Sequence, residues 1–274
     1  MKLNFRQSMH LTFLGTGPSR SIPRPGHSDA ACRDARRPGS KTRRLRSSVL
    51  VSMDQKYLLI DATPDVLLQL RRDRLRKLDT ILLTHAHADA AGGIIKLDAL
   101  LRRNKYRATL SVEQGTLKRL PAAIRDQKQG WLVLRTIVPG KSFLVAGLPV
   151  IPFRVAHSMT KGFPALGYRI GKQLVYASDV SAVPKSSEQF IRRAPHLVLD
   201  GCMWFDQQIK SHLSVDQSIA LAERLRVKHL YLTQISHTYP PHREAERKIR
   251  AFVKQKRYLT RVTLAFDGLT LSIS

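Results

Sequence analysis

Thr84-His85-Ala86-His87-Ala88-Asp89-Ala90 follows the apolar run Ile81-Leu82-Leu83, so two imidazoles and a carboxylate recur at every second residue. Imidazole and carboxylate are the ligand types of zinc, and a cluster at the end of a strand is a natural place for an ion. Two more ligand-type residues have the same relation to an apolar run. His157 follows a run over 150–155, and Asp179 follows one over 174–177. A single histidine beyond a strand is usually a surface or capping residue. The spacing of His85, His87 and Asp89 is more specific than that, and together with His157 and Asp179 it predicts a metal centre.

The elements that must position these residues can be read from the pattern of apolar residues. Leu11-Thr12-Phe13-Leu14 reads as a strand ended by Gly15-Thr16-Gly17-Pro18, and 19–46, rich in Pro, Gly, Ser and Arg, reads as a long loop. Runs 48–51 and 57–60 predict a hairpin turning at Asp54-Gln55. A helix is expected after Thr63-Pro64-Asp65, with Thr63 as N-cap and Leu67, Leu68 and Leu70 as its apolar face. A strand over 80–84 leads into the histidine motif, and 94–103 is helical in pattern. Strands follow at 108–112, 132–138 and 150–155. Pro152 places the last of these at an edge or a bulge. Runs 167–170 and 173–177 predict a second hairpin, and 196–200 a buried strand. Val215 begins a helix behind the N-cap Ser214, 229–233 is a strand, and 243–256 is a basic helix. A closing hairpin is expected from 261–265 and 269–272 around Asp267-Gly268. Strands outnumber helices but helices recur between them, which predicts two packed sheets covered by helices, an α/β (α+β) sandwich. With no repeat and no linker, residues 1–274 read as one domain.

Bulk properties narrow the class. Lys and Arg number 47 against 20 Asp and Glu, a formal charge of +27. Such an excess favours polyanions, whether phosphate esters, nucleic acid or acidic surfaces, with a solvated basic surface as the alternative, so nucleic acid is an allowed partner. Few aromatics interleave the basic clusters, which argues against a single-strand stacking platform. No apolar run approaches the ~20 residues of a membrane span, so no membrane partner is expected. The N-terminus has no apolar signal core, and Cys32 and Cys202 are a poor disulfide framework, so a reducing cytoplasm is the expected compartment. Gly15-Thr16-Gly17 lacks the third glycine of a dinucleotide fingerprint.

The order Gly15-Thr16-Gly17, Leu59-Ile60-Asp61, Thr84 to Asp89, His157, Ser178-Asp179 and Leu232-Thr233-Gln234-Ile235-Ser236-His237 resembles the metallo-β-lactamase superfamily over nearly the whole chain, and most of all its PhnP-like phosphodiesterase group. The resemblance implies an αββα sandwich with metals at the sheet edges and a hydrolase that cleaves cyclic and other phosphodiesters. It implies that His85, His87, His157 and Asp179 hold the first ion and that Asp61 is a buried supporting carboxylate. A second ion would use Asp89, a histidine at position 90, Asp179 and a histidine at position 234. Here those two positions are Ala90 and Gln234, so both nitrogen ligands of the second ion are missing. One catalytic Zn(2+) is therefore expected, with the second ion weak or absent and Mn(2+) as the alternative metal.

Three further expectations come from the same resemblance. The group carries a structural zinc on a cysteine-rich loop and a late histidine, and the matching residues here are His27, Asp29, Cys32 and His237. A histidine comparable to His212 protonates the leaving oxygen or meets the phosphate, and its ordinary pKa of ~6.5 suits that task. Asp89, released from a complete second site, would orient the attacking water or take its proton. The alternatives are hydrolysis of an ester, lactone or thioester, and a catalytically degenerate member that binds nucleic acid through its basic surface. A homodimer is also allowed.

Overall fold

The structure, a computed structural model, describes residues 9–72, 77–126, 130–157, 160, 162–207 and 209–273. The first half of the chain runs β1 (Met9–Gly15), α1 (Ala30–Ala35), β2 (Ser48–Met53), β3 (Lys56–Ile60), α2 (Val66–Arg72), β4 (Thr80–Leu82), α3 (Ala88–Ala91), α4 (Ile94–Arg103), β5 (Ala108–Glu113), α5 (Gln114–Leu117), α6 (Ala122–Arg125) and β6 (Leu132–Ile137). The second half continues with β7 (Phe143–Val145), β8 (Leu148–Arg154), β9 (Leu166–Ile170), β10 (Leu174–Ala177), α7 (Lys185–Ile191), β11 (His196–Asp200), α8 (Val215–Arg224), β12 (His229–Thr233), α9 (His242–Gln255), β13 (Arg261–Leu264) and β14 (Thr270–Ile273). The strands form two seven-stranded sheets, ordered β14-β1-β2-β3-β4-β5-β6 and β13-β12-β11-β10-β9-β8-β7.

The period-two rule assigns each strand residue to a layer. Leu58 and Ile60 of β3 face the second sheet and pack with Tyr168, Tyr176 and Val198, while Leu59 between them turns outward to Val66 and Leu70 of α2 and Ile94 and Leu97 of α4. In the second sheet Tyr176 and Val198 point inward, whereas Val175, Leu197 and Leu199 meet Ile219 and Ala222 of α8 and Ile249 of α9. Strands covered on both faces have to be apolar at nearly every position, as β10 and β11 are. The result is the four-layer αββα sandwich that the strand pattern predicted.

Local chemistry explains several turns and corrects several expectations. Asp54 and Gln55 both have positive φ (45° and 61°), the two-residue geometry that matches strand twist in the β2–β3 hairpin. The loop 19–46 contains α1, whose N-cap Asp29 accepts the Cys32 amide and whose Ala31, Cys32 and Ala35 are buried. Helix α2 buries Val66, Gln69 and Leu70, while Leu67 and Leu68 are exposed, so the expected apolar face was rotated. Gln69 is held by Thr63 and the Arg46 carbonyl, which makes a polar residue fit the inner face. Pro152 sits in the penultimate strand, beyond the end of its pairing with β7, where its carbonyl accepts the Gly140 amide. The two closing strands do not form a hairpin. β13 extends the second sheet beside β12, and β14 extends the first beside β1. Asp267 holds this crossing by accepting from Thr16 Oγ1 and the Leu45 amide.

Gly167 in β9 is required by close approach. A Cβ there would lie 2.7 Å from Cε2 of Phe153, a ring that is itself buried. Overpacking of this kind costs about 1–3 kcal/mol. Gly167→Ala should lower the urea midpoint at unchanged slope, and an unchanged midpoint would refute the packing argument.

Candidate metal centre

The ends of β4, β8, β10, β11 and β12 meet at one rim of the sandwich and deliver His85, His157, Asp179, Asp200 and Gln234 there. Two of the positions at this rim have left-handed backbone, Asp61 (φ 67°) after β3 and Gln234 (φ 62°) after β12. Such a conformation costs about 1–3 kcal/mol for a residue with a Cβ and is characteristic of functional sites.

His85, His87 and His157 bring their ring nitrogens together, with every chosen ligand atom within 4.8 Å of the others. Their ring centroids are 4.8 to 5.0 Å apart. His157, Asp179 and His212 form a second such group, sharing His157. Asp89 lies outside both groups.

Outer partners set the ring orientations. His157 Nδ1 lies 2.9 Å from the Ser211 carbonyl, so it must carry the proton and leave Nε2 as a lone pair. Thr84 Oγ1 bonds both Asp61 oxygens (3.0 and 2.9 Å) and His85 Nδ1 (2.8 Å). With the hydroxyl proton given to Asp61, Thr84 accepts from His85 Nδ1 and turns Nε2 inward. Fixing a ligand histidine through its second nitrogen is the usual support of a metal site.

Three inward atoms have no protein partner. His85 Nε2, Asp179 Oδ1 and Gln234 Oε1 are buried without a hydrogen bond. His87 Nδ1 faces His157 Nε2 at 3.1 Å. Leaving a buried polar atom unpaired costs about 1–3 kcal/mol, and a cation on the three histidines and Asp179 removes that cost. The donor set fits zinc.

Electrostatics agree with this fit. Burial pushes His85 down to about 3 and also lowers His87, so both are neutral, as ligation requires. Burial alone would raise Asp179, but His85, His157 and His212 outweigh it and hold the carboxyl below its usual range. Burial, with Asp179 nearby, raises Asp89 to about 6. Burial also raises Asp61. His212 runs the other way. Burial would lower it, yet Asp200 at 2.6 Å raises it to about 9, so the ring is a cation at neutral pH. The fully buried Asp200 accepts the Val180 and Cys202 amides as well, which supplies the donors a carboxylate needs.

Asp179 is asymmetric. Its Oδ2 accepts Ser178 Oγ at 2.6 Å and Gln234 Nε2 at 2.7 Å, while Oδ1 is unpartnered and lies 3.9 Å from His157 Nε2. Ala90 is buried at 3% exposure. The amide of Gln234 therefore occupies Asp179 Oδ2, and Oδ1 is the oxygen left open.

A separate group contains His27, Asp29 and His237. Asp29 Oδ2 faces His237 Nδ1 at 3.3 Å and His27 Nδ1 at 3.6 Å. Cys32, expected as its fourth member, is not among these mutually close ligand atoms, although its side chain hydrogen-bonds Asp29. Its sulfur accepts the Arg24 amide, and burial raises its pKa, which disfavours the thiolate a metal needs. Both cysteines are free and buried.

Sequence reasoning missed Asp200 and Phe163. Asp200 ends a buried strand, as Asp179 follows one, and that shared pattern was the available signal. Phe163 stacks on His87 with ring centroids 4.3 Å apart, and nothing in its sequence context marks it. Among the described residues no helix is long and apolar enough to cross a membrane.

Residues 56–235 match the family profile of the beta-lactamase superfamily domain. A crystal structure of a diphosphatase from the PhnP family is 31% identical, with a TM-score of 0.81 and 97% of each chain covered. Zn(2+)-bound PqqB from Methylobacterium extorquens shares the fold at 23% identity, TM-score 0.76, over 96% of this chain and 99% of that one. An octanoyltransferase of Porphyromonas gingivalis is 28% identical over 242 residues, which are 86% of this chain. The chain spans 48% of that relative's length.

Proposed function

We propose, from the premise that this chain belongs to the metallo-β-lactamase superfamily and to its PhnP-like group, that it is a metal-dependent hydrolase of phosphodiesters working with one catalytic ion. The observation that carries the phosphodiester reading is His212. Asp200 keeps it cationic, and its ring centroid is 5.0 Å from that of His157. A proton donor beside the metal ligands suits departure of a poor alkoxide from an anionic ester.

His85, His87, His157 and Asp179 Oδ1 would hold the ion, with zinc favoured by the donor set and manganese as the alternative. The ion supplies Lewis acidity and lowers the pKa of a water toward ~7. Thr84 and Ser211 keep two of the imidazoles in register. Asp89, as a carboxylate, orients the attacking water or accepts its proton. His212 gives its Nε2 proton to the leaving oxygen while Asp200 retains Nδ1. The surplus of Lys and Arg draws anionic substrate toward the surface.

The single-ion reading rests on Ala90 and on the Gln234 amide against Asp179 Oδ2. Restoring nitrogen ligands at both positions, with Ala90→His and Gln234→His together, should raise tightly bound zinc by one ion per chain in mass measurement. An unchanged count would sink the reading. His27, Asp29 and His237 would hold a separate structural zinc without Cys32. His237→Ala should then lower the wild-type count by one, and Cys32→Ala should leave it unchanged.

The deciding experiment combines metal analysis with a panel containing a phosphodiester, a lactone and a thioester. Turnover confined to the phosphodiester is expected. Turnover confined to the lactone or thioester would transfer the reaction to acyl chemistry. A metal-loaded protein inactive on all three would favour nucleic-acid binding.

A further inference from the structure

The end of the sandwich away from the metal centre carries a basic surface that the reaction does not use. Strands β11, β12 and β13 run parallel, with His196, His229 and Arg261 in register at their starts. The far ends of β11 and β12 lead to Asp200 and Gln234 at the metal rim, so these starts lie at the opposite end. Three turns feed the starts and are tied to one another. The Arg193 amide donates to the Leu225 carbonyl at 2.8 Å, that of Lys228 to Ala194 at 3.0 Å, and that of Arg261 to Lys228 at 3.0 Å. Arg193, Arg226, Lys228, Arg257 and Arg261 are all exposed there. Among the described residues no carboxylate forms an ion pair with any of the five. The neighbouring acids are engaged elsewhere. Glu188 is held by Arg192 and Arg224, and Glu223 Oε2 accepts the Leu259 and Thr260 amides.

The backbone shows that these cations are kept against local preference. Helices α8 and α9 both end in a turn of two crossed bonds that usually contains glycine. Arg226 and Val227 donate to the Glu223 and Ala222 carbonyls, and Arg257 and Tyr258 donate to those of Lys254 and Val253. The left-handed position of each turn is held by arginine, Arg226 (φ 56°) and Arg257 (φ 54°), and Arg193 (φ 56°) has the same conformation in the third turn. Glycine takes up this conformation without the steric cost of a Cβ. A cation at a helix C-terminus also answers the helix dipole, and the test below separates the two roles.

Five unneutralised cations side by side suit a polyanion, which binds as counterions leave it. The rings at the strand starts are not free to stack on bases. His196, His229 and Tyr231 stack on one another, with centroids 4.2 to 6.2 Å apart. Leu259, at 89% exposure, is a lone apolar side chain, short of the apolar face that inserts into a lipid surface. The observations therefore favour the backbone of a double helix over a single strand or a membrane.

We infer that this face binds double-stranded nucleic acid through its phosphates, without reading bases and apart from the metal centre. The probe is duplex DNA of mixed sequence, with binding followed by fluorescence anisotropy against salt. Wild type should give a slope of log K on log salt of about −4.5, about −0.9 for each of five contacts. Arg193→Gly, Arg226→Gly and Arg257→Gly combined should weaken binding at least about tenfold and flatten the slope to about −1.8. The urea midpoint should not fall, because glycine suits these turns. Lys228→Gln with Arg261→Gln leaves the turns alone and should flatten the slope by about 1.8. Lys96→Gln, Arg103→Gln and Lys105→Gly remove three charges from the other helical layer, where Lys105 is also left-handed (φ 57°). That control should stay within about twofold of wild type, because salt screens distant charges. An equal loss in the control would reduce the effect to net charge and overturn the inference. A lowered urea midpoint with unchanged DNA binding would make the arginines helix caps. Should the glycine variant lose both, an unaltered slope in the glutamine pair would overturn the inference. So would a wild type that ignores DNA or binds only vesicles of anionic phospholipid. His85→Ala should bind DNA as wild type does, and a loss there would move the DNA to the metal centre. No readout depends on phosphodiester turnover, so the two readings stand or fall separately.

Discussion

His85→Ala should leave a folded protein with no turnover above background and one fewer bound metal ion. His85 is fully buried, its Nδ1 is tied to Thr84, and its Nε2 is one of the unpartnered atoms at the centre. Removing an outer hydrogen-bond partner of a metal ligand typically costs about 10–100-fold in affinity or activity. Removing the ligand itself should exceed that, because the remaining imidazoles and Asp179 Oδ1 no longer close a four-coordinate set. The fold should survive. His85 lies at the rim, and the apolar layers on which the sandwich rests do not include it. Zinc by mass measurement, near-ultraviolet circular dichroism and phosphodiester turnover check the three parts. Full activity with full metal content in a folded variant would remove His85 from the centre.

His212→Asn should lower kcat by about 10²–10⁴-fold, the usual contribution of a positioned general acid. The loss should depend on the leaving group. It should be large for an alkoxide, which needs the proton, and small for 4-nitrophenolate, which does not. An equal loss on both would make His212 a binding residue. The pH dependence has a definite sign. Asp200 lifts His212 above its ordinary value, and the acid must be protonated to act, so the rate should fall as pH rises through that raised pKa. Asp200→Asn removes the main attraction and should move that limb toward ~6.5, the ordinary value for histidine. Linkage gives the matching effect on stability. A raised folded-state pKa means that the His212–Asp200 pair stabilises the fold fully below ~6.5 and loses that contribution as pH rises through about 9. Denaturation midpoints across pH 6 to 10, for wild type and Asp200→Asn, would read this directly.

The legible part of this protein was its one-dimensional chemistry. Short apolar runs marked most of the strands, and the hairpin at Asp54-Gln55 was marked by its two turn residues. His85, His87, His157 and Asp179 were legible because each follows an apolar run, and strand ends of like direction come together at one rim. Where the inner and outer faces compete, sequence was a poorer guide. In α2 Gln69 took an inward position from Leu67 and Leu68 because Thr63 and the Arg46 carbonyl satisfy its amide.

By itself, the sequence determined which residues had ligand chemistry, which elements carried them, and that positions 90 and 234 lacked a metal-binding nitrogen. Only the tertiary structure decided who meets whom. It separated β13 and β14 into different sheets and set Cys32 against Asp29 and the Arg24 amide. It brought Asp200 under His212 and laid the Gln234 amide on Asp179 Oδ2. The physical reason is common to all four. Secondary structure follows from local sterics and side-chain periodicity, which neighbours in the chain specify. Hydrogen bonds and pKa shifts at a site depend on distances of a few ångströms between residues that here lie 8 to 55 positions apart, and only packing sets those.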